Sequence, residues 1–301
     1  MNPVVHYDQI SNHCYTVKKR VHLSTINLRN FNNARKRELL TRYAWPQSRI
    51  LDLCGGKGGD LHKYESLNVK SVRHIDISSA SVDEANRRFN HSNLRFEFET
   101  EVGNILEMQE YAPPQSIDVV SCQFAIHYAF EFPYVTGWHV IERVAKCLRP
   151  RGMFLVTTPN HQKISRFRNN RLCRIKPLRN KENAYTFWLD GAVDAIEFYV
   201  PFHSMVDLCK KCGLVLVNYR DYSEVEDKSL RWEERAVASL YCEYAFQKQV
   251  DESQPPPPQK PLSEVFDVNK IWLHYSFLLL KNISSPMSAP IPTTQYKIGS
   301  L

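Results

Sequence analysis

No stretch of the 301-residue sequence is both long and apolar enough to span a bilayer. The opening MNPVVHYDQI lacks the basic segment and apolar run of a secretory signal. The eight cysteines (Cys14, Cys54, Cys122, Cys147, Cys173, Cys209, Cys212 and Cys242) show no disulfide-like spacing. These absences argue against a membrane-spanning or disulfide-stapled class and lead us to expect a reduced intracellular protein. The CxxC at Cys209 and Cys212 has no second CxxC or HxxxH to complete four zinc ligands, so no metal is expected. Leu208 and the two cysteines instead suit the end of an amphipathic helix stopped by Gly213. Internal repeats are absent as well.

What remains is an ordinary globular composition. At 43% hydrophobic residues the chain can build a sizeable core. A formal net charge of +7 favours an anionic partner such as nucleic acid or a nucleotide, without naming one. We expect a single domain over 1–283, comprising an N-terminal segment 1–45, an insertion near 160–190 and a proline-rich loop at 251–261. A disordered tail is expected over 284–301.

From residue 49 short β-rich runs alternate with helical ones. Arg49–Leu53 reads as a strand, 60–67 as a helix, 71–77 as a second strand. Ser81 and Glu84 form a capping-box pattern opening a second helix. Residues 94–102 alternate as a third strand, 117–122 make a fourth, a helix follows near 135–148, and 153–158 make a fifth strand. This βαβα rhythm predicts an α/β fold, a mostly parallel sheet with helices on both faces and ligands at the carboxyl ends of the strands. Residues 160–190, basic and without a clear period, read as an insertion or lid. Residues 195–200 and 214–219 are expected to continue the sheet, 229–249 to form one helix, and 271–280 a last buried strand.

The chemistry should follow the strands. After the first strand comes Cys54-Gly-Gly-Lys-Gly-Gly-Asp60, in which four glycines let the backbone approach a ligand closely. An ordinary tight turn explains one or two of these glycines but not four. A nicotinamide-type GxGxxG would need glycine at position 54, so the loop looks more like one that holds the methionine part of S-adenosylmethionine. Asp76, ending the second strand, can accept from both ribose hydroxyls of a nucleoside, which suits NAD and S-adenosylmethionine equally. Gln123, His127 and Tyr128 fall just past the fourth strand, in SCQFAIHYAFE.

That segment, DLCGGKGGDL, and LRNFNNARK (Leu28 to Lys36) together resemble the mRNA cap guanine-N7 methyltransferase family, as do His6-Tyr7, TTPN at 157–160 and IEFYVPF at 196–202. The resemblance covers roughly 6–225 and returns at the final strand. It implies a Rossmann-like class I methyltransferase with a seven-stranded sheet, using S-adenosylmethionine as methyl donor and no metal. Lys36, the backbone at Cys54, Asp76, Asn104, Gln123 and Tyr128 would hold the cofactor. Asn32, Asn33, Lys57, Lys63 and Arg88 would meet the RNA or its triphosphate, and His127 and Glu197 the guanine, with Trp272 closing the pocket. Three positions depart from the family's usual residues: Cys54 for Gly or Ala, Asn104 for Asp, and Trp272 for Tyr. The implied partner is the capped mRNA 5′ end. Capping enzyme, RNA polymerase or a small activator subunit are candidate protein partners, there is no membrane partner, and by analogy the location is nuclear.

Guanine N7 offers a free lone pair and no proton, so positioning by His127, Tyr128 and Glu197 is expected and no general acid or base is nominated. A methyltransferase of another RNA position or a small metabolite shares the loop and Asp76 but leaves NFNN, HYAFE and Glu197 as coincidences. A non-catalytic cap-binding subunit is disfavoured by intact Lys36, Asp76 and Tyr128, and an NAD oxidoreductase by the loop.

Overall fold

A computed structural model describes residues 24–250. Helix α1 (Ile26–Tyr43) leads into β1 (Arg49–Leu53), α2 (Leu61–Ser66), β2 (Ser71–Asp76), α3 (Ser79–Asn90) and β3 (Glu97–Val102). Then come β4 (Ile117–Gln123), a 3₁₀ helix (Ile126–Glu131), α4 (Trp138–Cys147), β5 (Leu148–Pro159) and α5 (His161–Arg166). Strands β6 (Cys173–Pro177), β7 (Ala184–Leu189) and β8 (Val193–Phe198) precede α6 (Phe202–Lys211), β9 (Leu214–Asp221), α7 (Trp232–Ala238) and β10 (Tyr241–Lys248).

Seven strands form one sheet in the order β3-β2-β1-β4-β5-β10-β9. The first five pair in parallel, which requires crossover helices over the faces and explains why β1 and β4 are buried along almost their whole length. Helix α4 buries Val140, Ile141 and Val144 against one face. On the other, α1 contributes Leu39 and Leu40 to a core containing Ile50, Val119 and Leu155. The strand order reverses between β1 and β4, so the carboxyl ends of these two strands open the crevice where a ligand can sit.

Three expectations need correction. Residues 229–249 are not one helix: α7 ends at Ala238, and Asn160 N–H donates to the carbonyl of Leu240 at 2.7 Å. The chain then enters β10, antiparallel between β5 and β9. Both faces of that strand are covered, so Tyr241 to Phe246 are all buried and the period-2 signal vanishes. Residues 195–200 do not extend the main sheet, because β8 belongs to a separate antiparallel sheet ordered β6-β7-β8. The supposed insertion is thus a built hairpin layer with its own apolar cluster, including Tyr185, Phe187 and Tyr199. The cap of α3 is Ser78, whose hydroxyl accepts from Ser81 N–H at 3.2 Å. Glu84, expected in a capping box, instead pairs with Arg87 and Arg88.

Gly213 (φ +76°) follows α6 as its left-handed stop, with Cys209 buried in the last turn and Cys212 at the cap. No helix among the described residues is long and apolar enough to cross a membrane. His6, Tyr7, the loop 251–261, the strand proposed at 271–280 with Trp272, and the tail lie outside the described residues.

Candidate active site

The glycine loop is shaped by strand β2. Cys54 leaves β1 with φ +56°, and Gly56 and Gly58 follow at +58° and +67°. A β-carbon on Gly55 would lie 2.3 Å from the ring of His74, so only glycine allows this approach. His74 is fully buried, with Nδ1 3.2 Å from the Asp52 carboxylate and Nε2 2.9 Å from the Gly56 carbonyl. Both partners are acceptors, so both ring nitrogens carry protons. Burial alone would lower the His74 pKa, but the Asp52 bond and charge, helped by the Gly56 carbonyl, carry it above its ordinary value.

The other side of the Gly56 peptide is held too. Its N–H donates to Asp76 Oδ2 at 2.8 Å, while Asp76 Oδ1 accepts from Ser78 N–H at 3.0 Å. Asp76 is 8% exposed, and burial pushes its carboxyl up. Each of its oxygens retains a lone pair, so the carboxylate can still accept from two further donors.

Beneath the loop lies an ion cluster. Lys36 donates to the Asp60 carboxylate at 2.8 Å and Lys63 to the same group at 2.5 Å. Burial raises the Asp60 carboxyl, yet the two ammonium groups more than reverse this and leave it below the usual range. Lys63 also donates to Asn33 Oδ1 (3.0 Å) and the Gly59 carbonyl (3.2 Å). Its three donors are all engaged and the side chain is buried, so here Lys63 presents no free ammonium to a phosphate. It ties α1 to the loop.

The remaining cofactor-side candidates sit at strand ends. Gln123 accepts from Thr157 Oγ1 at 2.5 Å and donates to Ser121 Oγ at 3.1 Å. Asn104 is engaged at both ends of its amide, donating to Glu107 (2.8 Å) and accepting from Leu106 N–H (3.1 Å). Asn32 keeps a buried Oδ1 without a hydrogen-bond partner among the described residues. Arg88 pairs with Glu84 at 2.7 Å on α3, and Lys57 is half-buried within the loop.

A second constellation assembles from elements far apart in sequence. Phe124 (φ +61°) turns the chain from β4 into the 3₁₀ helix, which carries His127 inward. His127 is 2% exposed, and neither ring nitrogen has a hydrogen-bond partner among the described residues. Burial lowers its pKa to about 3, so the ring is neutral at pH 7. Its Nε2 lies 3.6 Å from Glu197 Oε1, too far for a hydrogen bond and, with a neutral ring, no ion pair. Tyr128 stands with its ring 4.2 Å from that of His127.

Glu197 is on the outer strand of the small sheet, yet it is 4% exposed while neighbouring Ile196 is 40% exposed. The polarity is the reverse of an ordinary edge strand. Burial raises the Glu197 carboxyl to about 7, against the opposing effect of Tyr185, whose hydroxyl donates to Oε2 at 2.9 Å. Tyr185 is directly opposite Glu197 in the β7–β8 register. Sequence reasoning missed Tyr185, His74 and Asp60. The alternation in Ala184–Leu189 carries a strand signal for Tyr185; His74 and Asp60 have none outside the fold.

A reversed-order sheet with a glycine loop after β1 and an acidic residue ending β2 makes a Rossmann-like, nucleoside-binding fold, one that S-adenosylmethionine-dependent methyltransferases share. Among solved structures, one such protein from Methanosarcina mazei superposes with a TM-score of 0.54 at 17% identity, covering 71% of this chain and 98% of its own. The family model described as mRNA (guanine-N(7))-methyltransferase domain matches residues 2–254, and the chain belongs to that family. It is 31% identical over 245 residues to the mRNA cap guanine-N(7) methyltransferase of Saccharomyces cerevisiae, covering 70% of this chain and 56% of the relative. The Drosophila melanogaster protein of the same name is 30% identical over 242 residues, covering 67% and 56%. The chain thus spans a little over half the length of these curated relatives.

Proposed function

We propose that this chain transfers a methyl group from S-adenosylmethionine to N7 of the 5′-terminal cap guanosine of mRNA. The observation that carries the reading is Glu197, a buried carboxylate held by Tyr185 beside a neutral His127 that has no hydrogen-bond partner among the described residues. A buried carboxylate facing inward is costly unless donors meet it, and guanine supplies two adjacent ones, N1–H and N2–H. Accepting both makes the pocket selective for guanine. His127, fixed as a neutral ring, adds a polar contact without repelling a base that gains positive charge at N7.

The loop suits the cofactor. A β-carbon on Gly56 or Gly59 would meet nothing within 4 Å, leaving room above the backbone for a close ligand. The clamp by His74 and Asp76 fixes that backbone in advance. Asp76 would accept from the ribose hydroxyls, with Lys36, Cys54 backbone, Gln123, Tyr128 and Asn104 around the same ligand. When bound, S-adenosylmethionine supplies an activated methyl on a sulfonium. N7 carries no proton to remove, so the residues orient and exclude water, and alignment supplies the rate.

Lys57 and Arg88 would meet the triphosphate, and the net positive charge favours the RNA end. In this role the protein works in the nucleus on capped transcripts. Incubation with methyl-labelled S-adenosylmethionine and GpppG, followed by nuclease digestion, should yield label in 7-methylguanosine. Label found instead at another RNA position or in small metabolites would sink the assignment.

A further inference from the structure

Between β5 and β6 the chain carries cations that the methyl-transfer site does not use. Helix α5 and the loop after it face α7 across a groove of about 770 Å³, and none of the residues assigned to cofactor or guanine lines it. Lys163, Arg166, Arg168 and Arg171 stand there with one lining carboxylate, Glu233, and Lys163 lies 3.8 Å from a second, Asp221. Arg171 already pairs with Glu233 at 2.5 Å, and Lys163 donates to Ser223 at 3.1 Å. Arg166 and Arg168 are exposed and make no ion pair or hydrogen bond with the described residues.

Opposite them Trp232 opens α7 with 71% of its surface in water, an unusual place for the largest apolar side chain. The groove is built rather than loose. Asn170 Oδ1 accepts from Leu172 N–H and Cys173 N–H at 2.9 Å each, Asn169 Oδ1 accepts from Ile175 N–H at 2.7 Å, and Asn170 donates to the Glu233 carbonyl. Arg168 is therefore presented from a fixed loop, and Arg166 from the last turn of α5.

Unpaired guanidinium groups facing an exposed indole suit a chain that offers phosphates and flat rings together, which is single-stranded nucleic acid. An acidic peptide would meet the cations but give the indole nothing to stack on. The position is also right. Helix α5 starts at His161, whose ring lies 4.7 Å from Tyr199; the Tyr199 ring lies 4.8 Å from that of Tyr185, which holds Glu197. The six residues of α5 add about 9 Å. We infer that this groove binds the RNA chain following the cap, with phosphates on Arg166 and Arg168 and a base stacked on Trp232. The inference rests on the cap-methyltransferase reading and extends it from the guanosine to the transcript.

The test compares GpppG with a capped single-stranded RNA of about twenty nucleotides, using Trp232→Ala and the double variant Arg166→Ala/Arg168→Ala. Wild-type protein should show the lower KM for the capped RNA. Both variants should methylate GpppG normally, which also shows that they fold, while KM for capped RNA rises about tenfold. The double variant should flatten the salt dependence by about 0.7 in log–log slope for each phosphate it no longer neutralises. Wild-type KM for capped RNA in both variants would overturn the groove and leave the cap reading standing, and so would an equal loss on GpppG. If wild-type protein fails on GpppG, the cap reading falls, and fluorescence anisotropy with the same RNA uncapped then decides the groove. Binding weakened in both variants supports it; unchanged binding removes it.

Discussion

Glu197 and His127 are two buried titratable groups whose pKa values are displaced in opposite directions, Glu197 up to about 7 and His127 down to about 3. Only ionised Glu197 can accept from both guanine donors through its two oxygens, so kcat/KM for GpppG should fall as pH drops below about 7, with kcat less affected once the base is bound. Glu197→Ala should cost about 2–4 kcal/mol in kcat/KM for the cap with normal S-adenosylmethionine affinity. A pH profile flat from about 6 to 8 in steady-state assays would remove the carboxylate from base recognition. Stability gives a second readout. The folded protein holds a proton on Glu197 between the ordinary value of 4.5 and about 7, so that contribution is full below 4.5 and is lost as pH rises through 7. His127 does the reverse: its contribution is full above 6.5 and is lost as pH falls through the window down to about 3. Between 4.5 and 6.5 the two slopes oppose each other. Glu197→Gln should uncover the His127 slope, about 1.4 kcal/mol per pH unit, so that urea-unfolding stability drops more steeply on acidification than in wild type.

At the scale of elements, the β1–loop–β2 unit is the rigid part of the site. The Gly56 peptide is gripped on its N–H by Asp76 and on its carbonyl by His74, and Gly55 lets the imidazole pass beneath. Gly55→Ala would drive a methyl group into the His74 ring and the Asp52 carboxylate, both fixed by burial and mutual bonding. A loss of about 2–4 kcal/mol in chemical denaturation is expected, with weaker cofactor binding, because overpacking and breaking a buried charged pair act together. Gly56→Ala meets open space but needs φ +58°, so a smaller cost of about 1 kcal/mol should appear. Equal stability of the two variants would mean the clamp does not constrain the loop. The same unit shows what was readable in advance. Strand β1, the glycine loop and Asp76 stood out by pattern, whereas the clamp did not, since His74 and Asp52 are partners only because β1 and β2 lie side by side in register.

For the whole molecule, α1 links the loop to both cores, through the Lys36–Asp60–Lys63 cluster on one side and Leu28 and Phe31 on the other. Cofactor binding at the loop should therefore stabilise the global fold. S-adenosylmethionine at about a hundred times its Kd should add about 2.7 kcal/mol and raise Tm by roughly 5–10 °C in scanning fluorimetry. Asp76→Ala, losing about 1.5–3 kcal/mol of binding, should show about half of that shift or less at the same concentration. A full shift in the folded variant would take Asp76 out of the nucleoside site.

The sequence by itself determined the alternation of strands and helices from 49 to 159, the position of the ligand crevice, and the residues that mark the family, because each depends on local periodicity or a short run such as CGGKGGD or HYAFE. Tertiary structure decided the rest. Strand β10 looks helical because a central strand buried on both faces loses its period of two, and only pairing with β5 and β9 makes it a strand. Residues 160–198 lack a strong signal because β6, β7 and β8 are short and owe their stability to one another and to the aromatic cluster beneath. Glu197 was nameable from its motif, but its inward orientation, its raised pKa and its neighbours Tyr185 and His127 depend on separate segments meeting in a space that excludes water. Burial is a property of the folded whole, and burial is what sets the Glu197 carboxyl apart from an ordinary one.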